Sequence, residues 1–137
     1  MPDSPAHLKI FTLEEANATL PQVRTALAAL RHHVTQVLAQ EASVDASELV
    51  AGQSATDPRV VQALALLQEC NTQAQQAFEA LERLGCHLKD LDAGLVDFYT
   101  WMDGELVLLC WRDGEDQVRY WHPVNDGFAG RQPIPGT

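Results

Sequence analysis

The feature that most constrains this chain is a change of hydrophobic rhythm. Two stretches carry their marked positions in alternating steps of three and four. Past Gly85 the spacing shortens to two. In the first stretch the positions are Leu20, Val23, Leu27, Leu30, Val34 and Val37. In the second they are Val60, Leu64, Leu67, Asn71, Ala74, Phe78 and Leu81. Steps of three and four describe a heptad seam, narrower than the stripe of an ordinary surface helix. At 1.5 Å per residue the two helices should each run about 35–40 Å. Joined by a loop, they form an antiparallel hairpin. A hairpin of this kind leaves much of its apolar surface open, so it needs a sheet, a second chain, or both.

The boundaries follow from local chemistry. Thr12-Leu13-Glu14-Glu15 is a capping box, and Thr19-Leu20-Pro21-Gln22 is a second one with Pro21 in its first turn. The reading is a short helix from Thr12, a reset near Thr19, and a long helix to about Ala42. Residues 43–56 lose the pattern and gain Ser, Asp and Gly, which predicts a mobile loop. Asp57-Pro58 restarts a helix, and Gly85 is placed to end it. Asn71 reads as a polar seam residue that fixes register rather than as a pocket group. His32 and His33 lie off the seam and read as solvated surface.

Beyond residue 85 the spacing is that of strands. Leu95–Met102 and Glu105–Arg112 flank Asp103-Gly104, a strong short-range hairpin signal. A second turn at Asp113–Asp116 leads to a strand over Gln117–His122 that Pro123 terminates. The expected fold is therefore α+β: a long antiparallel helical hairpin (residues 1–84) packed on a three-stranded antiparallel β-meander (85–123). A tail (124–137) wraps the surface, and the whole is read as a single domain of 137 residues.

A two-residue turn at Asp103-Gly104 would fix the register, so that the cross-strand rows can be written down. One face then reads Val96–Trp111–Val118, Phe98–Leu109–Tyr120 and Thr100–Val107–His122, apolar enough to pack on the helices. The other reads Leu95–Arg112–Gln117, Asp97–Cys110–Arg119, Tyr99–Leu108–Trp121 and Trp101–Leu106. Two tryptophans and a tyrosine on this second face imply that something covers it: the tail, a second subunit or a ligand. The candidate ligand-binding residues are Asp97, Cys110, Arg112, Arg119, Trp121 and Arg131, with Lys89, Asp90 and His122 as possible additions. Paired guanidinium groups can fork onto a carboxylate or phosphate, and a nearby cation would lower the Cys110 pKa. The plain alternative is a cross-strand charge row with Cys110 as inert filler.

Cys86, His87, Asp97, Cys110 and His122 are all metal-ligand types. Their spacing matches no zinc finger or ribbon, and in this register Cys110 and His122 face opposite ways. No metal, cofactor or catalytic residue is therefore assigned, and Cys–His nucleophilic catalysis fails on the same ground. Three cysteines without a CxxC pair argue against a secreted disulfide framework. No secretory signal is visible between Met1 and Ile10. The longest uncharged apolar run, Leu106–Trp111, is far too short to span a membrane. A net charge of −10 opposes a broad grip on nucleic acid or anionic lipid.

Several short runs, taken together, carry a resemblance. They are Phe11-Thr12-Leu13-Glu14-Glu15-Ala16-Asn17, Gly85 to Asp90, Gly94 to Phe98, Leu108 to Trp111, Tyr120-Trp121-His122 and Gly127 to Arg131. The chain resembles the small bacterial proteins grouped as domain-of-unknown-function family 2203. The resemblance implies a bacterial, cytoplasmic protein of a family with no assigned activity. It marks Lys89, Asp90, Asp97, Trp111, His122, Gly130 and Arg131 as matching the family pattern, without giving them roles. The residues themselves lead to the expectation of a non-enzymatic small-anion-binding or protein-assembly module using the polar and aromatic sheet face, with homodimerisation through the helix seams or that aromatic face. The rival expectation is an enzyme or metal-binding protein using Cys110, His122, Asp97 and Lys89.

Overall fold

A computed structural model describes residues 8–52, 54 and 56–136. The chain divides into two compact units: residues up to Leu27 together with those from Leu81 onward, and the segment Ala28–Ala80.

Helix α1 (Leu13–Ala51) starts where its capping box sits. The Glu15 amide donates to Thr12 Oγ1 at 3.1 Å, and the Thr12 amide donates back to the Glu15 carboxylate at 2.8 Å. The reset expected near Thr19 does not occur. The Thr19 hydroxyl donates to the Glu15 carbonyl at 2.8 Å instead of capping a new helix. Pro21 is carried inside α1, at the cost of one intrahelical donor. The helix also continues through 43–51, where a loop was expected. That stretch contains no proline or glycine and buries Val44, and termination comes at Gly52, with φ 66°. Of the shortened connection, residues 53 and 55 lie outside the described residues.

Within Ala28–Ala80, α1 and helix α2 (Pro58–Glu82) form a helical hairpin. The strip of α2 withdrawn from solvent is Val60, Ala63, Leu67, Cys70, Ala74 and Ala77. Its rhythm is the expected one, but its phase is not. Leu64, Asn71 and Phe78 are exposed, so Asn71 fixes no seam. The small side chains of the buried strip allow close helix approach, and Gln40 Nε2 donates to the Ala63 carbonyl at 3.1 Å.

The other unit holds a five-stranded antiparallel sheet in the order β1-β2-β3-β4-β5. The strands are β1 (His87–Asp90), β2 (Leu95–Met102), β3 (Glu105–Arg112), β4 (Tyr120–Pro123) and β5 (Gln132–Pro133). The expected meander is its centre; β1 and β5 add one short strand at each edge. β2 and β3 pair in the expected register, Val96 with Trp111 and Asp97 with Cys110. Asp103 and Gly104 between them both take positive φ, 52° and 80°, as a type I′ turn requires.

The β3–β4 register differs from expectation by one residue: Leu108 faces His122, Leu109 faces Trp121 and Cys110 faces Tyr120. The reason is the connection. Instead of a tight turn, residues 113–119 fold back against β3 and α1. Trp111 Nε1 donates to the Glu115 carbonyl at 2.9 Å, and the Arg112 amide donates to the Glu115 carboxylate at 2.7 Å. The Val118 amide donates to Asn17 Oδ1 at 2.7 Å, which keeps Val118 and Arg119 out of the strand.

The apolar sheet face packs as expected on the start of α1. Val96, Phe98, Leu109 and Trp111 are buried, together with Phe11, Leu20, Val23 and Leu27. Phe11 meets Phe98 edge to face at 5.0 Å. The backbone of Phe11 is tied to β2 at both ends: its amide donates to the Tyr99 carbonyl at 2.8 Å, and its carbonyl accepts from the Thr100 hydroxyl at 2.6 Å.

Candidate functional site

Because residues facing one another in an antiparallel ladder project to the same side, the observed register moves His122 onto the face of Asp97 and Cys110. The three residues stand on β4, β2 and β3, and each is at least 97% buried, with exposures of 3%, 1% and 1%. One ligand atom from each lies within 4.8 Å of the others. Nε2 of His122 is 3.2 Å from Asp97 Oδ2, and Nδ1 is 2.8 Å from the Pro123 carbonyl. That carbonyl can only accept, so Nδ1 carries a hydrogen. A second proton must then lie between Nε2 and the Asp97 carboxylate, since otherwise two acceptors would face each other.

The electrostatics of the cluster follow from its burial. Desolvation raises the Asp97 pKa above the ordinary carboxylate range, while His122 and Lys89 pull it the other way. Burial, and then the neighbouring Asp97 charge, push the Cys110 thiol up to about 11. Cys110 is thus the opposite of the cation-activated thiol considered above. Asp97 and, pulling the other way, Arg131 are its hydrogen-bonding partners, while both His122 nitrogens are engaged, with Pro123 and with Asp97.

A cavity of about 160 Å³ opens beside the three residues. Leu95, Leu108, Val124 and Phe128 give it apolar walls, and Lys89 and Asp126 also line it. Lys89 is the residue left unpaired where the β1–β2 ladder slips between Leu88 and Asp90. The Asp126 carboxyl packs against Gly130, where an added Cβ would come within 2.7 Å of Oδ2. The tail segment 124–128 therefore covers this part of the sheet, as one of the expected coverings. Nothing in the sequence marks Val124 or Phe128 as cavity walls, because their place depends on how the tail folds back.

The other candidate residues disperse. Arg119 leaves the strand and pairs with Asp116 at 3.3 Å. Arg112 sits over the Phe128 ring at 5.8 Å. Trp121 faces Leu109, on the side of the sheet away from Asp97. Asp90 accepts the Ala93 amide at 3.0 Å and so holds the β1–β2 turn. Arg131 lies 4.0 Å above the Tyr120 ring, pairs with Glu115 at 2.8 Å and donates to the Cys110 carbonyl at 3.1 Å. The expected arginine fork does not form; these guanidinium groups are engaged within the chain. Lys89 and His122, possible additions on sequence grounds, are the two that join Asp97 and Cys110 around the cavity.

No helix among the described residues is long and apolar enough to cross a membrane. No curated protein and no solved structure matches the chain. A family model described as uncharacterized conserved protein (DUF2203) matches residues 9–134, including every strand and all three clustered side chains. By that match the chain belongs to the DUF2203 family of uncharacterized conserved proteins.

Proposed function

We propose that the protein binds a single zinc-type divalent ion through Asp97, Cys110 and His122, with one coordination position left open to the adjoining cavity. The observation that carries this reading is the convergence of a carboxylate, a thiol and an imidazole, one from each of three strands, in a buried pocket. Thiolate, imidazole and carboxylate are the donors zinc prefers, and three of them with a free fourth position is the pattern of a reactive rather than a purely structural centre. The His122 Nδ1–H bond to the Pro123 carbonyl is the kind of outer contact that orients a ligating imidazole and presents its other nitrogen. Zinc–ligand bonds of about 2.0–2.3 Å put tetrahedral donors roughly 3.3–3.7 Å apart. The existing 3.2 Å Asp97–His122 spacing is close to that range, and the limit of 4.8 Å leaves a small contraction to make.

The site draws less support as a thiol nucleophile, because Cys110 is held protonated beside a carboxylate. An anion site built from Arg112, Arg119 and Arg131 is likewise weaker, since each already has a partner within the chain.

The test is titration of chelator-treated protein with Zn(II) and Co(II). The expected result is about one ion per chain, and a sulfur-to-cobalt charge-transfer band that Cys110→Ala abolishes. His122→Ala should weaken binding at least about tenfold. Undiminished Co(II) binding in both variants, or none in the wild type, would overturn the reading.

A further inference from the structure

The cavity beside the three ligands has two kinds of wall. Leu95, Leu108, Val124 and Phe128 line it with hydrocarbon, while Lys89 and Asp126 bring one charge of each sign. Lys89, Asp126, Val124 and Phe128 are exposed, so they stand on its solvent side. Its volume of about 160 Å³ is near the roughly 150 Å³ that holds a benzene-sized molecule.

The charges around this space cancel. A divalent ion held by the Cys110 thiolate, the Asp97 carboxylate and neutral His122 carries no net charge. Lys89 and Asp126 offset each other on the wall. Arg131, which reaches the Cys110 carbonyl, is already paired with Glu115. An anion entering the open position would give up hydration to apolar walls with no net positive charge to compensate it. A cation would meet the ion's own charge. An uncharged oxygen donor loses far less hydration, and its lone pair can still meet the ion as a Lewis acid. Its hydrocarbon end would cover Leu95, Leu108 and the exposed faces of Val124 and Phe128.

We propose that this cavity takes a small uncharged carbonyl compound, of about the size of propionamide, with its oxygen in the ion's open position and its hydrocarbon part against Leu95, Leu108 and Phe128. The inference rests on the metal reading above and specifies the ligand class of that same site.

The experiment uses the full chain loaded with Co(II), in a buffer of low ionic strength free of coordinating anions. Propionamide and propionate, alike in size and unlike in charge, are titrated while the visible cobalt bands are followed. The expected result is a saturable band shift that is tighter for propionamide than for propionate. Acetamide should bind about fourfold more weakly than propionamide, the effect of one buried methylene. Asp126→Asn should strengthen propionate about threefold and Lys89→Met should weaken it about threefold, modest changes because both groups are exposed and screened. Propionamide should change less than about twofold in either variant. A cobalt spectrum that propionamide leaves unchanged, or tighter binding of propionate, would overturn the inference while leaving the metal site standing. Propionate affinity unmoved in both variants would overturn the charge balance on which the inference stands. Absence of any cobalt spectrum would overturn the metal reading, and the inference with it.

Discussion

His122 stands opposite Leu108 across the β3–β4 ladder, and its Nε2 lies 3.2 Å from Asp97 Oδ2 one strand further on. The imidazole thus reaches past its immediate neighbour to a carboxyl that is 1% exposed. Neither group is open to water; besides one another, His122 has the Pro123 carbonyl and Asp97 has the Cys110 thiol. Removing one should be costly. His122→Ala is expected to destabilise the metal-free protein by about 3–5 kcal/mol, because it strands a buried carboxyl. Urea unfolding of the chelator-treated variant measures this, and a loss below about 1 kcal/mol would contradict the pairing.

Loading the cluster should release protons. One leaves Cys110, whose thiol is held up to about 11 in the free protein, and one leaves the His122–Asp97 contact. About two protons per ion should therefore pass to solvent. Calorimetric zinc titration in buffers of different ionisation enthalpy gives that number as a slope. His122→Ala should lower the slope by about one proton.

The three thiols should differ in reactivity. Cys86 is fully buried, and burial pushes it up to about 11; Cys110 is also buried and raised; Cys70 is half-buried on α2. Iodoacetamide at pH 8 should label Cys70 first and leave Cys86 and Cys110 unmodified until the protein unfolds. Mass spectrometry of peptic fragments reads the order directly. Rapid Cys110 labelling in the folded chain would show the pocket to be more open than described.

Glu115 links the β3–β4 connection to the tail. Burial works against its charge, but Arg131 and the Arg112 amide prevail and hold the carboxyl below the ordinary glutamate range. A lowered folded-state pKa means that the stabilisation is complete above the unfolded value and fades as pH falls through the folded one. The contribution should therefore vanish on acidification below the usual glutamate pKa. Glu115→Gln should cost about 1–2 kcal/mol at neutral pH and flatten that acid-side loss. Melting temperatures of both proteins across the acid range test the sign.

Trp111 is the largest fully buried side chain, and Arg24 lies over its ring at 5.6 Å. Trp111→Ala should cost about 3–5 kcal/mol from the cavity and the lost indole bond. Wild-type-like melting would place the ring outside the core.

How much of this was legible in the residues is clearest at particular positions. Asp103-Gly104 dictates its own turn through two positive φ angles, so the β2–β3 register and the Asp97–Cys110 pair follow from local chemistry alone. The next connection is held by Asn17, 101 residues away from Val118 in sequence. No local pattern carries that contact, and without it a one-residue shift of β4 hid His122 on the wrong face. The α2 seam failed for a related reason. Val60, Leu67, Ala74 and Leu81 fit either of two adjacent strips, and the choice of Ala63 over Leu64 depends on how closely α1 approaches. The extension of α1 to Ala51 is hidden in the sequence because residues 43–51 are polar enough to resemble a loop, yet contain no glycine or proline before Gly52 to end the helix.

The dependence on register has a further meaning. An ion held by Asp97, Cys110 and His122 would draw one donor from each of three successive strands, with no two donors close in sequence. No short peptide of this chain could hold it before the sheet forms. A sheet with β4 displaced by a single residue would keep nearly all its backbone bonds yet offer only two donors. Metal occupancy would then reward the native registry over its nearest competitor, so that metal supply acts as a late check on strand alignment rather than as an aid to early folding.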